Sequence, residues 1–337
     1  LKRKKGRSLI RWIAKLIWWI LLLGMTGWGA LAIYYSYLPE TFRTGLAVSY
    51  ALASLIALIF IRRKMLAYGL FFVFFAIVLI GWFAMRPSNN RDWQEDVAVL
   101  PYATIAGSQV TVHNIRNCDY RSETDYTVRY YNKTVDLSKL SSVDLYTVDW
   151  GLKYIVHTML SFGFEDGRYI CISIETRKEK GEAYSTVKGF FRQYELFYVV
   201  ADERDVVRLR TNFRKGETVY LYRLSASMTV AQKVFLDYMR YINALKAQPE
   251  WYNALTGNCT TAIRGHTLPY SGGKRWDWRV LVNGYITEMA YEQGFLDRSL
   301  PYKELKQHSV INARAMAADK DPAFSEIVRE GLPGLSK

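Results

Sequence analysis

The 337-residue chain predicts an α+β domain of about 250 residues, large enough for a full core, carried behind three N-terminal transmembrane helices. Three observations predict it. Three long uncharged runs fill the first 85 residues, and the positive charge is concentrated beside them. From Ser88 onward the composition changes to short alternating strands and an amphipathic helix. The expected division is therefore a membrane anchor over residues 1–87 and a globular domain over 88–337.

The uncharged runs are Leu16–Leu38, Thr44–Ile61 and Met65–Met85, of 23, 18 and 21 residues. About 20 residues of helix cross a hydrocarbon core, so each run is long enough to span. A cleaved signal peptide would account for the first run alone. Trp12, Trp18, Trp19, Trp28, Tyr34, Tyr35 and Tyr37 crowd both ends of the first span, as interfacial aromatic belts do.

Charge supplies the orientation. The chain carries 45 Lys and Arg against 31 Asp and Glu, a net charge of +14, and residues 1–90 hold 12 of the basic residues with one acidic. Lys2, Arg3, Lys4, Lys5, Arg7, Arg11 and Lys15 precede the first span, and Arg62, Arg63 and Lys64 separate the second from the third. The loop after the first span has only Glu40 and Arg43. The positive-inside rule then places the N-terminus and the Arg62–Lys64 turn in the cytoplasm. Three crossings deliver residue 86 onward to the far side, which makes the domain periplasmic and the anchor an inner-membrane one. Residues 91–337 hold 33 basic and 30 acidic residues, so the folded domain lacks the positive surface a nucleic-acid binder needs. An aromatic share of 15% excludes intrinsic disorder. Three cysteines, Cys118, Cys171 and Cys259, offer no disulfide framework and no four-cysteine zinc site.

Within the domain, residues 108–133 alternate as strands do, and further strands are predicted at Tyr154–Phe164, Tyr169–Arg177, Glu195–Val200 and Val219–Leu224. Thr229 is the expected N-cap of a helix to about Lys246, with Val230, Val234, Leu236, Tyr238, Met239 and Ile242 on its apolar face. After the Gly257-Asn258 break, Cys259–Arg264 reads as the first turns of another helix.

The hairpin register around Glu165-Asp166-Gly167 decides what lies beside His157. A three-residue loop with Gly in the left-handed position pairs residues whose numbers sum to 332. Leu160, Phe162, Ile170, Ile172 and Ile174 then share one apolar face, and His157, Ser161, Ser173, Glu175 and Arg177 share the other. A two-residue turn would mix the faces, so alternation selects the first register. In that register His157 stands opposite Glu175.

Those residues are the candidates for chemistry. Cys259 is the best nucleophile of the three cysteines because a helix N-terminus lowers a thiol pKa and offers free backbone N–H groups to an oxyanion. His157 is the candidate base and Glu175 the carboxylate that orients it. Cys171 either faces the site or packs, and Cys118 reads as core or loop. His266 is seven residues after Cys259, too far along one helix to turn back onto it, and reads as a surface residue. His113 and His308 have no evident partner. No HxxxH or CxxC spacing supports a metal site, and no cofactor is expected.

At these residues the chain resembles the Lnb N-terminal periplasmic domain family. The segments that carry the resemblance are Ser108–Arg116, Asp144–Trp150, His157–Arg177 and Asn258–Thr261, over roughly residues 88–300, with Val-His-Thr-Met-Leu-Ser-Phe and Asn-Cys-Thr-Thr the most specific. The order of a His strand followed by a Cys at a helix start is also similar to permuted papain-like (NlpC-like) enzymes, lecithin:retinol acyltransferase among them. The resemblance implies a lipoprotein N-acyltransferase. An acyl chain would pass from a phospholipid to Cys259, then to the α-amino group of a diacylglyceryl-cysteine lipoprotein. It makes Cys259 the nucleophile, His157 the base and Glu175 the orienting carboxylate, with Asn258, Thr260, Arg177 and Ser173 as substrate-binding residues. The implied partners are a phospholipid donor, a diacylated lipoprotein acceptor and the membrane, and no nucleic acid. Cys118 departs from the aromatic expected after Asn-Ile-Arg-Asn, and the three-span anchor is not a feature the namesake enzymes need share.

Trp93 and the aromatic-rich stretch 276–295 are candidates to line an acyl groove, with core packing as the alternative. Arg91, Arg177, Arg264, Lys274, Arg275 and Arg279 are candidates to hold phosphate head groups, or are solvated charges. Two other functions fit the same residues. One is a papain-like peptidase or amidase acting on cell-wall peptide, which would need an open polar cleft where an acyltransferase needs a dry groove. The other is a non-catalytic membrane-tethered binding module.

Overall fold

The computed structural model describes residues 2–271 and 277–335, with side chains from Leu9 onward except that of Ser271. The basic side chains Lys2, Arg3, Lys4, Lys5 and Arg7, and the expected head-group residues Lys274 and Arg275, lie outside the described residues. The chain divides into two compact units. Leu1–Pro87 with Ser185–Gln193 form one, and Ser88–Tyr184 with Tyr194–Lys337 form the other.

The first unit is built from α1 (Lys2–Tyr34), α2 (Glu40–Phe60) and α3 (Lys64–Ala84). Each is long and apolar enough to cross a membrane, over Leu9–Tyr34, Glu40–Phe60 and Lys64–Ala84. Leu22, Leu58 and Phe71 form a small buried centre. Most of the remaining apolar surface is exposed: the third span buries only 11% of its apolar window within the protein, a surface that suits lipid rather than water. The segment Ser185–Gln193 belongs to this unit. Phe191 stacks on Tyr35 and packs near Trp28, and the Arg192 guanidinium lies 3.9 Å above the Trp82 ring while donating to the Trp82 carbonyl at 3.0 Å. Arg192 thereby satisfies a carbonyl at the end of α3 that has no partner within the helix.

The second unit is an α+β fold around an eight-stranded sheet. Its strands are β1 (Tyr102–Ala106), β2 (Gln109–Arg116), β5 (Tyr130–Asp136), β6 (Leu140–Asp149), β7 (Val156–Phe164), β8 (Tyr169–Arg177), β9 (Glu195–Ala201) and β10 (Thr218–Arg223), while β3 (Asp119–Tyr120) and β4 (Tyr126–Thr127) form a separate short pair. The order across the sheet is β1-β2-β9-β8-β7-β6-β10, with β5 also pairing β2. Every residue of β7 and β9 is buried, which identifies them as central strands covered on both faces. Among the described residues this unit has seven α-helices: α4 (Glu203–Arg208), between β9 and β10, then α5 (Met228–Ala247), α6 (Cys259–Ser271), α7 (Ile286–Glu292), α8 (Tyr302–His308), α9 (Asn312–Ala317) and α10 (Phe324–Ile327).

Alternation along the central strands divides the core. Leu160, Phe162, Ile170, Ile172 and Ile174 pack with Val234, Phe235 and Tyr238 of α5 in one cluster. Met159 and Cys171 point to the other cluster, with Val206, Val207, Phe324 and Val328. The β7–β8 register is Met159↔Ser173, Leu160↔Ile172, Ser161↔Cys171, Phe162↔Ile170 and Gly163↔Tyr169. These pairs all sum to 332, as the three-residue loop requires. Gly167 has φ of 75°, the left-handed position of that loop, and Phe164 N–H donates to the Arg168 carbonyl to close it.

Two elements differ from expectation. The cap of α5 is Ser227, whose Oγ accepts from Val230 N–H at 3.3 Å, so the helix begins ahead of Thr229. Strand β6, between β7 and β10, is not among the strands expected from the sequence. Asp144 is fully buried and is neutralised by Arg329 at 2.8 Å and by Arg223 at 2.5 Å, a pairing that sequence alone does not reveal.

Candidate active site

Cys259 is the first residue of α6, and the Asn258 side chain organises the turn that precedes it. Asn258 Oδ1 accepts from Thr261 N–H at 3.0 Å, Asn258 N–H donates to Thr261 Oγ1 at 3.0 Å, and Asn258 Nδ2 donates to the Ala254 carbonyl at 3.0 Å. This reciprocal arrangement satisfies donors that a helix start leaves open, and it fixes where the thiol sits. The structure thus places Asn258 as a cap beneath the helix.

His157 is the second residue of β7. The ladder to β8 stops at Met159↔Ser173, so His157 and Glu175 meet through their side chains. His157 Nε2 lies 2.8 Å from Ser173 Oγ and 3.2 Å from Glu175 Oε1, and Ser173 Oγ donates to Glu175 Oε1 at 2.7 Å. With Nε2 so occupied, Nδ1 is the ring nitrogen left to act on the Cys259 thiol, whose ionisation His157 favours. The sulfur lies 3.9 Å from Thr260 Oγ1, and Thr158 is among the groups that favour the thiolate.

The electrostatics follow from these contacts. Burial pushes the Cys259 thiol up, but the His157 imidazolium, with Thr158, outweighs it and brings the thiol down to about 7. Burial and the Arg210 charge push His157 down, while Glu175 and Cys259 raise it further, to about 9. Burial works against ionisation of Glu175, yet His157 and Arg210 hold it well below the usual carboxylate range. The other two thiols behave in the opposite way. Burial pushes Cys118 up to about 12 and Cys171 well above its ordinary value. Both pack in apolar clusters, which settles Cys171 as a core residue.

Several contacts around the site have no obvious sequence signal. Arg210 is buried and holds Glu175 at 3.0 Å and Glu217 at 3.3 Å. Asn283 Nδ2 donates to Thr260 Oγ1 at 2.7 Å and to the Val156 carbonyl at 2.7 Å, and its Oδ1 accepts from Val156 N–H at 3.0 Å. Thr260 Oγ1 lies 3.1 Å from Thr158 Oγ1. Asn283 thus joins the start of β7 to the start of α6, the two elements that carry His157 and Cys259. Its only sequence hint is the Asn283-Gly284 turn, where a Cβ on Gly284 would meet the Lys153 carbonyl oxygen at 2.2 Å.

An apolar groove of about 310 Å³ adjoins these residues, between α5, α6, α7 and the β6–β7 face. Leu145, Leu160, Val234, Ile263, Met289 and Phe295 form much of its wall. Thr260, which contacts Cys259, and its hydrogen-bond partner Thr158 line it too. From the stretch 276–295 the groove uses Ile286, Met289, Ala290, Gln293 and Phe295, of which only Phe295 is aromatic.

The other expected binding residues are placed differently. Arg177 is 2% exposed, donates to the Val97 and Ala98 carbonyls at 2.9 and 2.8 Å and to Asn89 Oδ1 at 3.1 Å, and lies 4.2 Å above the Trp93 ring. Its donors are thus occupied away from the thiol, and Trp93 packs in the second core cluster and does not line the groove. Arg91 pairs with Glu195 and Glu179, and Arg279 with Asp277 and Glu292. Arg264 does line the groove. His266 is not a surface residue: it is buried, with Nε2 2.8 Å from Tyr198 Oη and Nδ1 2.7 Å from Asp237 Oδ2. Asp237 on α5 and Tyr198 on β9 supply partners that spacing could not reveal. His113 has partners as well, Thr104 at 3.1 Å and the Tyr102 ring stacked 4.3 Å away.

A thiol, an imidazole and a carboxylate in sequence, in an α+β domain that follows three apolar helices, define a membrane-anchored protein with a thiol-centred candidate site. Residues 126–284 match the family model of the Lnb N-terminal periplasmic domain, so this segment is a domain of that family. The match is narrower than the 88–300 of the sequence resemblance, but it contains His157, Ser173, Glu175, Cys259 and Asn283. Membership points to an enzyme that modifies lipoproteins at a membrane, with this domain in the periplasm. No curated protein and no solved structure gives a significant match to the chain.

Proposed function

We propose that the protein is a lipoprotein N-acyltransferase of the inner membrane, with its N-terminus in the cytoplasm, that works by ping-pong chemistry through a Cys259 thioester. The observation that carries this reading is that Thr260, in contact with a thiol whose ionisation His157 favours, and its hydrogen-bond partner Thr158 both line an apolar groove. A buried thiolate–imidazolium pair supplies the nucleophile, and a dry apolar wall suits an acyl chain better than a peptide.

In the first half-reaction the Cys259 thiolate attacks the ester carbonyl of a phospholipid. The N–H groups of Cys259 and Thr260, at the start of α6, are the donors proposed to receive the oxyanion, since Thr261 N–H and Ala262 N–H are taken by Asn258. His157 gives its Nδ1 proton to the departing alkoxide, the C–O bond breaks, and a lysophospholipid leaves with the acyl group held as a thioester. In the second half-reaction the α-amine of the diacylglyceryl-cysteine attacks the thioester. His157 takes the amine proton, the C–S bond breaks, and the thiolate–imidazolium pair is restored. Ser173 and Glu175 act on His157 throughout, holding Nε2 and leaving Nδ1 for the proton transfers.

The test is incubation of the detergent-solubilised chain with phospholipid and a diacylglyceryl-cysteine peptide, followed by mass spectrometry of the peptide. The proposal expects a gain of one acyl chain on the peptide amine, lost in Cys259→Ala and His157→Ala. Release of free fatty acid without peptide acylation, or cleavage of cell-wall peptide by the same thiol, would replace it with a hydrolase reading. Unchanged function in Cys259→Ala would leave a binding module.

A further inference from the structure

Six lysine and arginine side chains are more than nine-tenths buried among the described residues: Arg116, Lys133, Arg177, Arg208, Arg210 and Arg329. Four of them meet carboxylates. Arg116 pairs with Asp205 at 2.7 Å, Arg208 with Asp319 at 2.7 Å, Arg210 with Glu175 at 3.0 Å and Arg329 with Asp144 at 2.8 Å. Arg177 donates to two carbonyls and an amide oxygen. The Lys133 ammonium, in a residue 8% exposed, makes no side-chain hydrogen bond and no ion pair within 4 Å of a described carboxylate, and Asp166 and Asp202 act on it only at longer range. Buried charges are normally paired, so an ammonium left alone is the exception that asks for a counterion.

Lys133 lies on β5 and lines a polar cavity of about 510 Å³, which also involves the β7–β8 loop, α4 and the α10 region. Arg204, the second residue of α4, lines the same cavity and likewise has no partner among the described residues; its Nε is buried and unbonded. Arg168 is a third cation on the wall, paired with Asp166 outside it. Three acids line the cavity as well. Both oxygens of Glu203 are held by Arg329, Asp202 accepts the Tyr131 hydroxyl, and Glu326 is exposed. Burial and the Arg168 charge bring the Lys133 ammonium down to about 8.

We propose that this cavity is a binding site for a phosphoryl group, with Lys133 and Arg204 as its principal ligands. A phosphate monoester brings nearly two negative charges and three acceptor oxygens, which matches two unpaired cations carrying several donors. The cavity is much larger than a bare anion, so the phosphoryl group belongs to a larger molecule, with Tyr131, Tyr169 and Pro322 as walls for its remainder. The site uses none of the residues around Cys259.

The test is protection of the Lys133 amine in the full chain in detergent. An amine-acylating reagent is applied at pH 8 and the peptides are read by mass spectrometry. Three probes are compared: inorganic phosphate, glycerol 3-phosphate, and nanodiscs containing phosphatidic acid, whose head group is likewise a phosphate monoester. The proposal expects saturable slowing of Lys133 labelling by about tenfold, with other lysines unaffected and with sulfate at matched ionic strength less effective. It also expects Arg204→Gln to abolish most of that protection. Protection by the soluble phosphates identifies a soluble phosphoryl ligand, and protection only in nanodiscs identifies a lipid head group. No protection by any probe, or full protection retained in Arg204→Gln, overturns the proposal. A second variant, Lys133→Met, is expected to melt no lower than wild type without phosphate and to lose the phosphate-induced rise. A fall in melting temperature with that rise retained would also overturn it.

Discussion

His157 Nε2 and Glu175 Oε1 lie 3.2 Å apart at the end of two strands whose backbone ladder has already stopped, and Ser173 Oγ bridges them, 2.8 Å from the imidazole and 2.7 Å from the carboxylate. The two residues are held instead by ladders on their outer sides, Val148↔His157 and Glu175↔Phe197, and meet each other only through side chains. The orientation of the imidazole depends on a carboxylate that is itself fixed by Arg210.

Alkylation of Cys259 should depend on pH in a way that the pair explains. The thiol titrates near 7 and the imidazole near 9, so the thiolate–imidazolium form is populated between them. The rate with iodoacetamide should rise as pH passes through about 7, while Cys118, raised to about 12, and Cys171 stay unlabelled in the folded protein. Acyl transfer should fall again above about 9, where the imidazolium loses the proton destined for the leaving alkoxide.

His157→Ala should remove the interaction that lowers the thiol and leave the burial that raises it. The alkylation midpoint should then move above 9.0, the ordinary cysteine value, and labelling at pH 7 should drop by about 10²-fold or more. A midpoint still near 7 would mean that the helix start alone activates the sulfur.

Arg210→Met should destabilise the fold by about 3–5 kcal/mol, because it leaves Glu175 and Glu217 without their shared buried cation. Glu175→Gln keeps the volume and the contact to Ser173, and should instead act on His157. Loss of the carboxylate lowers the imidazole pKa, so the alkaline limb of the pH profile should shift to lower pH. Chemical denaturation and a pH–rate profile separate the two effects.

Filling the groove should separate acyl transfer from thiol reactivity. Ala231→Phe projects a ring into the space lined by Val234, Ile263 and Leu160. Transfer of long acyl chains should fall by about tenfold or more, with shorter chains less affected, while iodoacetamide labelling of Cys259 stays close to wild type. Equal loss for all chain lengths would argue that the groove does not hold the chain.

Gly284→Ala tests Asn283 through the backbone. The added Cβ would fall 2.2 Å from the Lys153 carbonyl oxygen, a backbone atom with little room to move. The turn must shift, Asn283 loses its grip on Thr260 and Val156, and activity should fall with a loss of stability of about 1–3 kcal/mol.

Much of this was legible from residue order, where local physics governs. The three spans follow from runs without charge, and the β7–β8 register follows from one glycine and strict alternation, which together brought His157 opposite Glu175. The helix start at Cys259 was legible from Gly257-Asn258 before it. What stayed hidden depends on contacts between distant segments. Arg210 is 35 residues from Glu175 and carries no local signature. Strand β6 was not among the expected strands, and the buried charge of Asp144 within it is covered by Arg223 and by Arg329, 185 residues away. His266 looked like a surface residue because its partners come from α5 and β9. Arg177 looked available for head groups, but the carbonyls of Val97 and Ala98 occupy it.

The central claim is the thioester, and intact mass spectrometry of the purified chain after incubation with phospholipid tests it most directly. The account predicts a wild-type adduct of one acyl chain that hydroxylamine removes, absent from Cys259→Ala. Cys259→Ser should carry either no adduct or a hydroxylamine-resistant ester. Absence of any adduct on wild type across phospholipid classes, with Cys259 still alkylated near neutral pH, would contradict the account.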